Sequence, residues 1–300
     1  MNRRNFIRNS GVAASAALLT NSLPGFSMNA KSKFKLGLQV FTIRKAMEKD
    51  PKLTLQRVAK MGYEDLETYG MGENGLSYYN LPIGDFKSLL KDLGLTTSSG
   101  HYDLNKYMNS PEKDMLNYVD SCIAGASSLG QDYITWPWLA PEDRTLDKFT
   151  SLAKKLNLIG EHVKKAGLRL AYHNHDFDFA DLGGRSGYDI IMDETDPELV
   201  KLQIDLYWAV RASKHDPAYY FNKQPGRFEM WHIKDMDRVT QDYTELGNGT
   251  IDYKPILKYV KLSGMKYYYL EQGGNFSTGD AMDSIAQSIQ FFKKNLQNLV

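Results

Sequence analysis

The chain is short of three things that would each point to a function class. Cysteine is nearly absent: Cys122 is one residue among 300, which excludes an intrachain disulfide and any multi-cysteine metal site. Its surroundings read as a helix, so a buried, inert thiol is expected. Net charge is nearly absent too. The 37 Lys and Arg against 36 Asp and Glu leave +1, with no broad basic field to suggest a nucleic-acid partner. Finally, the apolar stretch near the N-terminus, GVAASAALL at 11–19, is too short for a spanning helix. No stable membrane insertion is expected.

That stretch follows Arg3, Arg4 and Arg8, in a segment without acids, and precedes a polar, turn-rich run at 22–30. This is the layout of a secretory signal. NRRNF at 2–6 resembles a twin-arginine export signal. The expectation is a signal peptide over 1–30, export to the periplasm, and a folded domain over 34–300. Removing the three leader arginines from +1 leaves about −2.

Beyond the leader, eight short apolar or aromatic runs read as strands: 35–41, 63–69, 95–101, 133–138, 168–173, 200–206, 227–234 and 266–271. Helical patterns separate them. The longest, 145–167, repeats Leu146, Phe149, Leu152, Leu156, Ile159 and Val163 at three- or four-residue spacing, the mark of an inward stripe. The helix at 111–127 is expected to turn Leu116, Val119, Ile123 and Ala124 inward. Strict alternation argues an α/β fold with a mostly parallel sheet. Eight units in about 265 residues suit a single-domain (β/α)8 TIM barrel. The rival is an open doubly wound sheet, but no glycine fingerprint follows the first strand, which counts against its dinucleotide-binding form.

In such a barrel the C-terminal strand ends converge on one face. His173, Asp205, His232 and Glu271 stand at those ends, 32, 27 and 39 residues apart, spacings that match successive or near-successive strand–helix units. Two imidazoles and two carboxylates suit one divalent ion, Mn, Co, Mg, Zn or Fe. Such an ion could polarise a carbonyl and stabilise the enediolate formed when a proton leaves the adjacent carbon. Each position has a plainer alternative, such as a satisfied core histidine or a hydrogen-bonded structural carboxylate. His175 shares a strand face with His173 and competes for the ligand role. Glu271, His173 and His101 are the candidate proton-transfer or sugar-contacting groups. Arg238, Trp208, Trp136, His175 and Glu67 are candidate substrate contacts, with packing or surface roles as their rivals. Lys234 and Asp235 are expected either to pair with each other under a loop or to touch substrate.

Several segments together resemble the xylose-isomerase-like barrel superfamily, within its sugar phosphate isomerase/epimerase group. They are GLQVFTIR at 37–44, GYEDLETY at 62–69, SGH at 99–101, YHNHDFDF at 172–179, LQIDLYW at 202–208, HIKDMDR at 232–238 and YLEQG at 269–273. The resemblance implies a metal held by Glu, Asp, His and Glu at four strand ends. Asp205, His232 and Glu271 match the last three, and His173 stands where the family commonly has Glu. That departure speaks against a two-glutamate epimerisation. Arg238 matches a substrate-binding arginine of ketose epimerases, and Trp208 replaces a histidine. The resemblance also implies a homodimer. No Lys/Arg cluster or phosphate cradle accompanies the strand ends, so the expected substrates are free sugars, keto-sugars or inositol derivatives. The expected activity is a metal-dependent isomerase or epimerase. A dehydratase or lyase acting on an inosose or 3-keto-glycoside, and a non-catalytic exported carbohydrate-binding protein, are the alternatives.

Overall fold

The computed structural model describes residues 33–72 and 74–300; the signal peptide expected over 1–30 lies outside them. Eight parallel strands among the described residues close into a barrel. They are β1 (Gly37–Gln39), β2 (Asp65–Thr68), β3 (Thr96–His101), β4 (Tyr133–Trp136), β5 (Arg169–His173), β6 (Val200–Asp205), β7 (Met230–Ile233) and β8 (Tyr267–Leu270). Each strand pairs with its sequence neighbour, and β8 closes on β1 with Gly37 opposite Tyr269. Gly37 has a steric reason: a Cβ there would lie 2.3 Å from the Tyr268 carbonyl oxygen and 2.6 Å from the Tyr269 ring.

Strand side chains alternate between two faces, and that parity organises the molecule. Leu38, Leu66, Ile134, Trp136, Leu170, Tyr172, Leu202, Ile204, Trp231, Ile233, Tyr268 and Leu270 join the main core under the helices. The opposite parity faces the lumen, where Tyr133, Ala171, Met230 and Tyr269 form a separate small cluster. Higher in the lumen the same parity delivers Gln39, Glu67, Ser99, Thr135 and Gln203, all buried. His101, His173, Asp205 and His232 follow at or near the C-terminal ends of their strands.

The helices that matter most here are α1 (Pro51–Met61), α2 (Ile83–Asp92), α3 (Glu112–Leu129), α4 (Leu146–Lys165), α5 (Gly187–Glu194), α6 (Leu206–Ala212), α7 (Pro217–Lys223) and α8 (Ala281–Asn295). The stripe expected for α4 is buried from Phe149 to Val163, while Leu146 at its first position is exposed. On α3 the buried line is Met115, Tyr118, Val119, Cys122 and Ala126. The expected line shares Val119, but Ala124 is exposed and Leu116 and Ile123 are half-buried. The inward stripe is therefore rotated: Tyr118 turns in, and its hydroxyl oxygen accepts from the Asp103 N–H at 3.2 Å. Cys122 is buried on α3 as expected, and burial pushes its thiol pKa up. No described helix is long and apolar enough to cross a membrane.

Two loops rise over the C-terminal face. The segment 70–82, which reads as a plain loop in the sequence, contains a small antiparallel ribbon, Ser77–Tyr78 with Leu81–Pro82. A second ribbon pairs Asp235–Met236 with Tyr243–Thr244. Asp235 anchors it by accepting from the N–H groups of Gly247 at 2.8 Å, Gly249 at 3.2 Å and Ile251 at 3.1 Å.

Candidate active site and cation-binding cluster

Glu67 stands at the centre of the polar lumen. Its Oε1 accepts from Ser99 Oγ at 2.6 Å and Gln203 Nε2 at 2.6 Å. Its Oε2 accepts from Gln39 Nε2 at 2.7 Å, and lies 2.5 Å from His232 Nε2 and 3.1 Å from His101 Nε2. Burial by itself would raise this carboxyl, but the His101 and His232 imidazoles hold it well below its ordinary range. Both oxygens are taken and the residue is fully buried. Glu67 therefore orients His232 and His101 from beneath instead of offering an oxygen to substrate, a correction to its expected role.

His232 sits between two carboxylates. Its Nε2 faces Glu67, and its Nδ1 lies 2.6 Å from Glu271 Oε2. Burial disfavours its charge, yet Glu67 and Glu271 together push its pKa up to about 9. Binding a metal through Nδ1 would require that proton to leave. Glu67 supplies the outer carboxylate that commonly fixes a metal-binding histidine.

Asp205 divides its two oxygens. Oδ1 caps α6 by accepting from the Tyr207 N–H at 3.0 Å and the Trp208 N–H at 3.2 Å. That leaves Oδ2 for the site, 3.7 Å from His173 Nε2. Asn174 steadies the Asp205 backbone, accepting its N–H at 2.9 Å and donating to its carbonyl at 3.3 Å. Burial raises the Asp205 carboxyl, against the opposing charges of Lys234 and His232.

Lys234 completes the cluster. It shares His232's parity, so its side chain also turns inward. Its ammonium lies 2.7 Å from Asp205 Oδ2 and 2.7 Å from Glu271 Oε2. The expected pairing with Asp235 does not form, since Asp235 is occupied by backbone N–H groups. Burial would raise Glu271, but Lys234 and His232 hold it far below the usual carboxylate range. Burial would lower Lys234, but Asp205 and Glu271 raise it.

Two further imidazoles are uncharged. Burial drives His173 well below its ordinary pKa, with His232 and His175 adding to the shift. Burial also drives His175 down to about 3, with Lys234 contributing. The Nδ1 atoms of His173 and His175 are buried without a hydrogen-bond partner. The His173 ring packs 4.5 Å from that of His232, and the His175 ring 4.9 Å from that of His173. His101 Nε2 lies 2.7 Å from Gln203 Oε1, and its ring stacks on His232 at 5.4 Å.

A divalent cation fits this chemistry. Asp205, His232 and Glu271 offer ligand atoms within 4.8 Å of one another, and His101, His173 and His232 form a second such group. The first group, with His173 beside Asp205, is the set expected from the strand ends. The ammonium of Lys234 already sits on its two carboxylates, so a metal would have to share them.

The structure does not bring every expected residue to this cluster. Trp136 is fully buried and donates its indole N–H to the Trp138 carbonyl at 2.9 Å. It shares the parity of Ile134 and lies under the helices, which removes it from the substrate contacts. Arg238 lies on the turn of the second ribbon, exposed, and among the described residues it makes no hydrogen bond or ion pair with the cluster. Trp208 is near the site: its ring lies 5.9 Å from His175 and 5.8 Å from Tyr243. Its indole N–H is buried without a partner. His175 also stacks on Phe177 at 5.5 Å. Gln39, Ser99, Gln203 and Asn174 escape sequence reasoning, although Gln203 shares the strand face of Asp205.

Residues 55–295 match the family described as xylose isomerase-like TIM barrel, and the chain belongs to that family. It is 28% identical over 137 residues to an inosose dehydratase of Lacticaseibacillus casei, a match covering 40% of this chain and 45% of that enzyme. The chain thus spans under half the length of the curated relatives it matches. A sugar phosphate isomerase/epimerase from Parabacteroides distasonis is 26% identical, with a TM-score of 0.76 over 90% of this chain and 96% of that one. A Mycobacterium smegmatis barrel of this family, solved in complex with magnesium, shares the fold: TM-score 0.64, 18% identity, 89% and 98% coverage.

Proposed function

We propose that this chain is a divalent-metal-dependent enzyme that removes a proton next to the carbonyl of a keto-sugar or inosose and returns it, as an isomerase or epimerase. The observation that carries the reading is the convergence of Asp205, His232 and Glu271 beside two uncharged imidazoles. The sugar phosphate isomerase/epimerase similarity supports the reaction class, and the magnesium-bound relative supports the cofactor class. When bound, the cation would polarise the substrate carbonyl and stabilise negative charge on its oxygen. His173, Asp205, His232 and Glu271 would hold it. Glu271 is the base expected from the sequence, but it is clamped by Lys234 and His232 and held strongly acidic, which makes it a weak proton acceptor. His173 and His175 carry unpartnered Nδ1 atoms beside it, but burial lowers both imidazoles as well, so placement and not basicity makes them the alternative acceptors. Trp208 presents an apolar wall beside His175, suited to the face of a sugar ring. Export to the periplasm is part of the proposal and rests on the N-terminal sequence.

Elimination is the second reading. An imidazole at position 173, in place of a second carboxylate, suits loss of a β-hydroxyl after the same deprotonation. The inosose dehydratase similarity supports it. Product NMR in deuterated water, with a panel of keto-sugars and inosose, separates the two. Solvent deuterium in an otherwise intact sugar supports isomerisation or epimerisation, and an unsaturated product supports elimination. No deuterium and no product across the panel, with a metal-loaded chain, would sink the enzyme reading and leave carbohydrate binding.

A further inference from the structure

Lys234 is a lysine almost cut off from solvent, at 3% exposed. Its backbone is fixed on both sides by one tyrosine. The Lys234 N–H donates to the Tyr253 hydroxyl at 3.1 Å, and that hydroxyl donates to the Lys234 carbonyl. The stem delivers the ammonium to one place, between Asp205 Oδ2 and Glu271 Oε2. The Tyr243 ring covers it from 5.6 Å.

A divalent cation held by Asp205 and Glu271 would share both carboxylates with this ammonium. Asp205 Oδ1 is committed to the N-terminus of α6, so Oδ2 serves the site alone. Glu271 Oε2 is already shared with His232 Nδ1. An ammonium and a divalent ion on the same two carboxylates would repel each other across a few ångströms, and burial weakens the screening. The same ammonium keeps two like-charged carboxylates at ligand spacing when no metal is there.

Resting on the metal-dependent reading above, we propose that Lys234 is a positioning residue with a double effect on the cation site. Its ammonium holds the Asp205 and Glu271 carboxylates together, and it weakens divalent-cation binding there, making the ion exchangeable. Neither the ligand set nor the strand-end pattern implies such a role. It follows from where the ammonium lies.

The test uses the metal-stripped chain and its Lys234→Met and Lys234→Arg variants, titrated with Co²⁺ by calorimetry and by visible absorption of the bound ion. Removing one buried positive charge should tighten Co²⁺ binding at least about tenfold in Lys234→Met, while Lys234→Arg stays within about threefold of the wild type. Unchanged or weaker binding by a folded Lys234→Met overturns the proposal. If circular dichroism shows that Lys234→Met is unfolded, ¹⁵N-lysine NMR of the wild type decides. A slowly exchanging ammonium signal, absent from Lys234→Arg, should shift with one equivalent of Mg²⁺; a signal indifferent to saturating Mg²⁺ overturns the proposal. Wild type that binds neither ion stoichiometrically is a different result: it rejects the metal reading itself, and this inference with it.

Discussion

At the N-terminal end of the lumen, Glu229 accepts from the Tyr133 hydroxyl and from Lys266 Nζ at 2.8 Å, with Arg169 3.9 Å away. At the C-terminal end, Asp205 and Glu271 share the ammonium of Lys234. Both ends bury carboxylates, but their cations differ. The Lys266 and Arg169 side chains are 41% and 46% exposed, against 3% for Lys234. A half-exposed cation is screened by water and contributes little. A buried one must find its partners inside the protein or destabilise the fold. The lower cluster thus reads as a latch between strand starts. The upper cluster is a set of mutually dependent charges, with imidazole nitrogens left unpartnered beside them.

The largest expected break in that contrast comes from Asp205→Ala. It strips the cap from α6 and leaves Lys234 short of a partner, at about 3 kcal/mol of stability. It also removes a metal ligand, so turnover should fall by about 10³-fold, several kcal/mol of charge stabilisation being lost. Thermal unfolding, elemental analysis and turnover check the three parts, and a variant retaining tightly bound metal would refute the ligand assignment.

A matched pair sharpens the contrast. Glu67→Gln should weaken cation affinity about 10- to 100-fold by releasing His232. Glu229→Gln should cost about 1 kcal/mol with cation affinity unchanged, its cationic partners Lys266 and Arg169 being half-exposed. Calorimetric metal titrations of both would erase the distinction if Glu229→Gln weakened binding as much as Glu67→Gln.

The two ends should also titrate in different windows. The Asp65 carboxyl at the lower end is pushed up to about 6, chiefly by burial. Its folded form therefore binds the proton more tightly than the unfolded chain does, and its contribution to stability is lost as pH rises from the unfolded value of 3.8 through about 6. His232 in the metal-free chain contributes fully below its unfolded value of 6.5 and loses that contribution as pH rises through about 9. Urea unfolding across pH, comparing wild type with Asp65→Asn and His232→Gln, should show each variant departing from wild type in its own window. Overlapping windows would contradict the assignment.

The smallest effect on the site itself is expected from Trp136→Phe. It should cost on the order of 1–2 kcal/mol as a trimmed core side chain and leave substrate KM unchanged. A raised KM in a stable variant would return Trp136 to the substrate contacts.

Much of this is legible before folding. Eight apolar runs in alternation with helical segments yield the barrel, because local periodicity survives into tertiary structure. The strand-end residues His173, Asp205, His232 and Glu271 are visible because a polar residue closing an apolar run stands out against its neighbours. Trp136 misleads: aromatic density points it toward the site, while the strand parity it shares with Ile134 sends it under the helices. Helix α6 is hidden because it begins directly at Asp205, whose side chain serves as both cap and candidate ligand. The ribbons over the site look like loops, their strands being only two residues long.

Residue pattern alone yields the barrel and the strand ends from which a cation site is built. The pairing of charges comes from folding. Glu67 is closed off by side chains from β1, β3, β6 and β7, and Lys234 reaches carboxylates 29 and 37 positions away in the chain. Periodicity records which face a residue takes. Which charges meet across a closed lumen depends on barrel closure, and no local pattern carries that information.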